Sequence, residues 1–120
     1  MKTVLIVDDM INQFKNIHRA ITRAGHDVVC VSDGRSALAK AVSMRPDLIL
    51  MDLMMPEWDG VETIVRIRSI EACKDIPVIF LSSVIASARG VVFADGKEYP
   101  IVSKMAEIRL IIDRINECLG

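Results

Sequence analysis

The sequence has no long apolar run. Val28–Val31, Leu48–Met51 and Val78–Leu81 are four residues each, whereas a membrane span needs about 20. It has no secretory leader pattern. Residues 1–7 run straight into Asp8 and Asp9, where a small-residue cleavage site would have to stand. Neither charge sign is in excess: 15 Lys and Arg face 16 Asp and Glu, a net charge of -1. That balance gives no electrostatic case for direct binding to nucleic acid. Cysteine is sparse, and Cys30, Cys73 and Cys118 form no C-x-x-C pair. An odd set without metal spacing reads as reduced packing thiols of a cytoplasmic protein. No G-x-G-x-x-G follows the first apolar run, which removes a dinucleotide-binding reading. Linkers, internal repeats and low-complexity tracts are also lacking.

What is present is an apolar chain in short pieces. Hydrophobic residues make up 52% of the sequence and charged residues 26%, which excludes disorder. A chain of 120 residues is about one domain, so residues 1–120 are taken as a single unit. It is long enough to bury roughly two-thirds of its unfolded surface without a disulfide or metal.

Short strands alternate with helical periodicity. Val4-Leu5-Ile6-Val7 is a continuous apolar run, the pattern of a strand buried on both faces. Phe14, Ile17, Ile21 and Ala24 then recur at helical spacing, and Gly25 stops that helix. Asp27–Val31 is a second strand. A second helix starts at Ser32-Asp33-Gly34, carries Ala37, Leu38, Ala41, Val42 and Met44, and ends at Pro46. Asp47–Asp52 is a third strand ending in a carboxylate, and Val61, Ile64, Val65 and Ile67 mark a third helix. Pro77 opens a fourth strand, Val78–Leu81, and Pro100–Ser103 is a fifth. The last helix carries Ile108, Leu110, Ile111, Ile112, Ile115 and Leu119. Parallel strands joined by crossover helices follow. The predicted fold is α/β, a single doubly wound five-stranded parallel sheet in the order 2-1-3-4-5. Residues 84–99 fit this scheme poorly. Gly90 interrupts any helix there, and Asp95-Gly96 between apolar triplets is a hairpin signal. The fourth helix is therefore expected to be atypical, shortened or replaced by a hairpin.

Open parallel sheets bind ligands beyond the carboxyl ends of their strands, at the point where strand order reverses. Asp8 and Asp9 follow strand 1, Asp52 ends strand 3, Ser82 and Ser83 follow strand 4, and Lys104 follows strand 5. Any one of these has a bland reading as a cap or loop carboxylate. Together, three carboxylates repel one another and need a cation or raised pKa values. Hard oxygen ligands without His or Cys select Mg²⁺. Ser82 as donor and Lys104 as cation complete the equipment for a phosphoryl group, with Asp52 as its nucleophile.

These residues resemble the receiver domain of two-component response regulators, the CheY-like branch of the flavodoxin-like folds. Val7-Asp8-Asp9 and the segment Asp52–Gly60, a D-x-x-M-P-x-x-D-G, carry the resemblance, together with the spacing to Ser82 and Lys104. The resemblance implies that Asp52 is the phosphoacceptor. It implies that Asp9, Asp52 and the backbone carbonyl of Met54 bind Mg²⁺, with Asp8 acting through water. Ser82 is then the switch hydroxyl, Lys104 pairs with Asp52 or its phosphate, and Met54 and Val84 flank the site. The implied partners are a histidine kinase and a downstream protein target or attached output domain. Phosphorylation would switch the surface made by the region after strand 4, strand 5 and the last helix. The chain is then not an enzyme on an external substrate, beyond self-catalysed phosphoryl transfer and autodephosphorylation.

Two departures from the family pattern stand beside the lysine. Met105 replaces the usual Pro, and with it a cis bond that would cost a non-proline about 3 kcal/mol. Ile101 replaces the usual aromatic, for which Tyr99 is the nearest substitute. They motivate an alternative, a receiver-fold interaction module that works without phosphorylation. An aspartyl-phosphate phosphatase is a third reading, but it would need D-x-D where Asp8 and Asp9 are adjacent. His18 and His26 read as surface histidines, and Trp58 as a partly exposed loop aromatic. Lys2, Arg19, Arg23 and Arg35 read as scattered, forming no groove. The isoleucines of the last helix leave room for a homodimer through that face.

Overall fold

The computed structural model describes residues 2–10, 15–83 and 90–120. Among them, β1 (Thr3–Val7), α1 (Lys15–Arg23), β2 (Asp27–Val31), α2 (Gly34–Met44), β3 (Leu48–Asp52) and α3 (Gly60–Arg68) follow the predicted alternation. A short 3-10 turn at Glu71–Cys73 leads to β4 (Val78–Ser82). The chain then forms β5 (Val91–Ala94), β6 (Lys97–Ser103) and α4 (Ile108–Leu119).

The sheet order is β2-β1-β3-β4-β6-β5. The five parallel strands stand in the predicted order, with β6 in the place of strand 5. β5 is an added antiparallel edge strand, so the described part of the atypical segment is a hairpin. Its turn is Asp95-Gly96, whose φ values of 53° and 74° are the left-handed pair such a two-residue loop demands. β6 is accordingly longer than Pro100–Ser103, because pairing with β5 recruits Lys97, Glu98 and Tyr99. Pro100 is tolerated within it. Ile101 N–H bonds to Gly90 O, so Pro100 turns its backbone the other way, towards β4, where pairing begins only at Ile101.

Two aliphatic layers cover the sheet. On one face Leu5, Val7, Ile49, Met51 and Phe80 meet Ala37 and Ala41 of α2 and Ile64 and Ile67 of α3. On the other, Val4, Ile6, Leu50, Ile79, Leu81 and Val102 meet Ile17 and Ile21 of α1 and Ile111 and Ile115 of α4. Every residue of β3 and β4 is buried, which is why both read as unbroken apolar runs. Val42 is the exception on α2 and lies exposed. No helix among the described residues is long and apolar enough to cross a membrane.

Candidate functional site

Strand register alone assembles the site. Val7 pairs with Met51, so the next step along both strands sets Asp8 beside Asp52. Asp52 pairs with Leu81 and Ser82 with Ser103, which delivers Lys104 one residue further on. The backbone is stitched at this edge by Leu53 N–H to Leu81 O at 2.9 Å and Lys104 N–H to Ser82 O at 2.9 Å.

The loop after Asp52 is fixed by α3. Asp59 caps that helix by accepting from Glu62 N–H at 2.9 Å. Gly60 N–H bonds to Leu53 O at 3.0 Å. A Cβ on Gly60 would run into the Asp52 carbonyl oxygen and sit 3.0 Å from Leu53 Cα. The Asp-Gly pair of the motif is thus a close backbone approach that holds the carboxyl end of β3 against the start of α3.

Lys104 bridges two buried carboxylates. Its Nζ lies 2.7 Å from Asp8 Oδ2 and 3.1 Å from Asp52 Oδ1. Asp8 is fully buried and Asp52 is 3% exposed, while Asp9 faces solvent. Asp8 Oδ1 accepts from Met10 N–H at 2.6 Å, and Asp52 Oδ1 from Met54 N–H at a long 3.4 Å. Burial pushes the Asp52 pKa up to about 6, helped by the Asp8 charge and resisted by the Lys104 hydrogen bond. Burial pulls the Lys104 ammonium down, but its hydrogen bonds to Asp8 and Asp52 and their charges outweigh it, so its pKa is raised.

One carboxylate oxygen from each of Asp8, Asp9 and Asp52 lies within 4.8 Å of the others. Oxygens at about 2.1 Å from a magnesium ion are at most about 4.2 Å apart, so small adjustments let the three share one. Three carboxylates against one ammonium leave the pocket negative, and exposed Asp9 leaves a side open for water ligands. The residues fit a hard divalent cation.

The sequence placed Asp8, Asp9, Asp52, Ser82, Ser83 and Lys104 at one sheet edge, and they stand there, with Met54, which the resemblance added, two residues past Asp52. Ser82 is buried, and Val84 lies outside the described residues. Tyr99 stands elsewhere. It is buried on Phe80, ring centroids 5.8 Å apart, and its hydroxyl accepts from Arg68 Nε at 3.0 Å. Arg68 also donates to the carbonyls of Cys73 and Ile76, at the opposite end of β4 from Ser82. Tyr99 is therefore anchored at the far pole.

Three features escaped the sequence reading. The guanidinium groups of Arg35 and Arg66 both lie over the Trp58 ring, at 4.6 and 4.2 Å from its centroid. It lines a cleft of about 340 Å³ with Asp9, Ser32 and Glu57. Arg19 and Arg23 are not scattered. With Lys15 and His18 they line one exposed groove on α1, a pattern that i, i+4 spacing could have revealed. Ser103, buried beside Ser82 in register, accepts from Met105 N–H at 3.0 Å. On α4, Ile111 and Ile115 are buried in the core, and Ile108 and Leu110 are the large apolar side chains left exposed.

An acidic pocket with a bridging lysine lies at the reversal point of a five-stranded parallel order. The sequence model of the response regulator receiver domain matches residues 4–116. The chain belongs to that family. It is 40% identical over 67 residues to the alkaline phosphatase synthesis transcriptional regulatory protein PhoP of Bacillus subtilis. That match covers 56% of this chain and 28% of the relative. It is 38% identical over 80 residues to protein PilG of Pseudomonas aeruginosa, covering 67% of this chain and 59% of PilG. The matched stretch is thus less than two-thirds of either relative. Among solved structures, the N-terminal domain of a response regulator/sensory box/GGDEF protein from Carboxydothermus hydrogenoformans superposes with a TM-score of 0.82 at 31% identity. That superposition covers 98% of this chain and 94% of the other. The chemotaxis response regulator CheY4 of Vibrio cholerae gives 0.82 at 29% identity over 99% of both chains.

Proposed function

We propose that this receiver domain accepts a phosphoryl group on Asp52 from the phosphohistidine of a histidine kinase. The observation that supports this most is the Lys104 bridge to Asp8 and Asp52 at one edge of the acidic cluster. An Asp52 oxygen attacks phosphorus, the P–N bond breaks, and the imidazole leaves with the electron pair and takes a proton. Asp8, Asp9, Asp52 and the Met54 carbonyl would hold a magnesium ion, which would supply positive charge against the phosphoryl oxygens. Lys104 holds the Asp52 carboxylate before transfer and is placed to follow the phosphoryl oxygens after it. Ser82, buried one strand away, is the donor for another of them. Each gains contacts only in the phosphorylated form, and that difference drives the switch. The partners are then a kinase and a protein target or output domain, and the compartment is the cytoplasm. The domain turns over no external substrate. A homodimer through α4 would use Ile108 and Leu110.

A second reading, a protein-binding module that ignores phosphate, is favoured by one observation. Tyr99 is pinned by Arg68 and Ile101 fills the usual aromatic position, so among the described side chains no ring stands ready to follow Ser82.

Trp58 reports on the pocket through the cleft it shares with Asp9. Mg²⁺ followed by beryllofluoride, a phosphoryl mimic, should change its emission saturably. The Asp52→Asn variant should not respond to beryllofluoride. Emission indifferent to both, with calorimetry showing no Mg²⁺ binding, would sink the first reading in favour of the second.

A further inference from the structure

All peptide bonds among the described residues are trans, including that between Lys104 and Met105. Without proline, something else must hold the backbone that aims the lysine. The Met105 side chain is not that support, since it is 80% exposed. Three successive amides are anchored instead. Lys104 N–H bonds to Ser82 O at 2.9 Å, Met105 N–H to Ser103 Oγ at 3.0 Å, and Ala106 N–H to Ser103 O at 3.1 Å. Two of the three rest on Ser103. Its side chain is fully buried at the end of β6, in register with Ser82 on β4, so strand pairing fixes its place. The hydroxyl closes a two-residue turn around Lys104. Proline at 105 would have no N–H to donate to it.

We infer that Ser103 is a positioning residue for Lys104, its hydroxyl holding through the Met105 amide the turn that aims the ammonium at Asp8 and Asp52. This rests on the phosphoacceptor reading above for its purpose but not for its geometry. The long lysine side chain reaches both carboxylates from one side, at 2.7 and 3.1 Å. A turn released by loss of one hydrogen bond lets that reach vary. The carboxylates of the metal cluster are carried by β1, β3 and the residues that follow them, not by the turn.

The test uses Ser103→Ala, Ser103→Thr, Met105→Pro and the Ser103→Ala/Met105→Pro double variant. Two readouts are followed: Mg²⁺-dependent beryllofluoride affinity, and the rate at which an amine-acylating reagent modifies Lys104 in metal-free protein. Ser103→Ala should weaken beryllofluoride about five- to tenfold, the loss of one ordinary hydrogen bond. Mg²⁺ affinity should be unchanged and Lys104 acylation several-fold faster. Ser103→Thr should restore both. Once Met105→Pro has removed the donor, Ser103→Ala should have no further effect. The inference is overturned if Ser103→Ala leaves Lys104 acylation unchanged. It is also overturned if Mg²⁺ affinity, beryllofluoride affinity and Tm fall together without rescue by Thr. If the wild type ignores beryllofluoride, the phosphoacceptor reading fails, and the acylation rates still decide the role of Ser103.

Discussion

Neutralising Asp52 should make the metal-free protein more stable, and the pH at which this advantage appears is set by the pocket. The Asp52 pKa stands at about 6 in the fold against an ordinary 3.8. Because the folded form holds the proton more tightly, stability attributable to this group is fully present below about pH 4. It is lost as the pH rises towards 6. The difference of about two pKa units is roughly 3 kcal/mol of strain at pH 7, carried by a carboxylate buried beside another. Asp52→Asn removes the charge while keeping the shape. In EDTA at pH 7.5 the variant should therefore be more stable by up to about 3 kcal/mol, or roughly 10 °C in Tm for a domain of this size. The advantage should shrink to about 1 kcal/mol near pH 4.5, where the wild-type carboxyl is protonated in the fold. Millimolar Mg²⁺ should also narrow it, by stabilising the wild type through binding. Calorimetric or circular-dichroism melts of both proteins across pH 4.5–8 measure all three effects. An Asn variant no more stable than wild type at pH 7.5, or an advantage that does not decline with pH, would refute the electrostatic account.

Lys104→Ala should act in the opposite sense. It leaves Asp8 and Asp52 buried without their shared cation, at a cost of roughly 3 kcal/mol at neutral pH in urea titrations. Mg²⁺ should still bind, while the Trp58 response to beryllofluoride should be lost. A wild-type response would remove Lys104 from the switch. Gly60→Ala should destabilise by roughly 2–3 kcal/mol, because its Cβ meets backbone rather than a movable side chain. It should also weaken Mg²⁺ binding measured by calorimetry, since the displaced atoms belong to Asp52 and Leu53.

The parallel strands were legible because β1, β3 and β4 are enclosed on both faces and so read as unbroken aliphatic runs. The pocket was legible for a related reason. A carboxylate just past such a run has one place to go, the sheet edge where neighbouring strands also end. The hairpin was half visible: Asp95-Gly96 announced the turn, but pairing with β5, not local pattern, extended β6 back to Lys97. Tyr99 looked available as a switch because strand alternation places it on the Ile101 face. Only the tertiary approach of Arg68 shows that its hydroxyl is engaged. The contact of Trp58 with both Arg35 and Arg66 joins three segments and has no local signature. The α1 groove was hidden by the charge total, since a net charge of -1 averages over a helix that carries no acidic residue.

The β5–β6 hairpin also bears on the order in which the sheet is built. Its pairs run from Ala94 with Lys97 to Val91 with Pro100, a few residues apart in sequence. The parallel contact of β6 with β4 instead joins Phe80 to Ile101. Hairpins close in about 1–10 μs, and pairings between distant segments come later because more chain entropy is lost before they are rewarded. β6 can thus meet β4 already formed as a two-stranded ribbon. The lysine that completes the pocket then arrives on a prefabricated part, docked in one step at the end of the sheet.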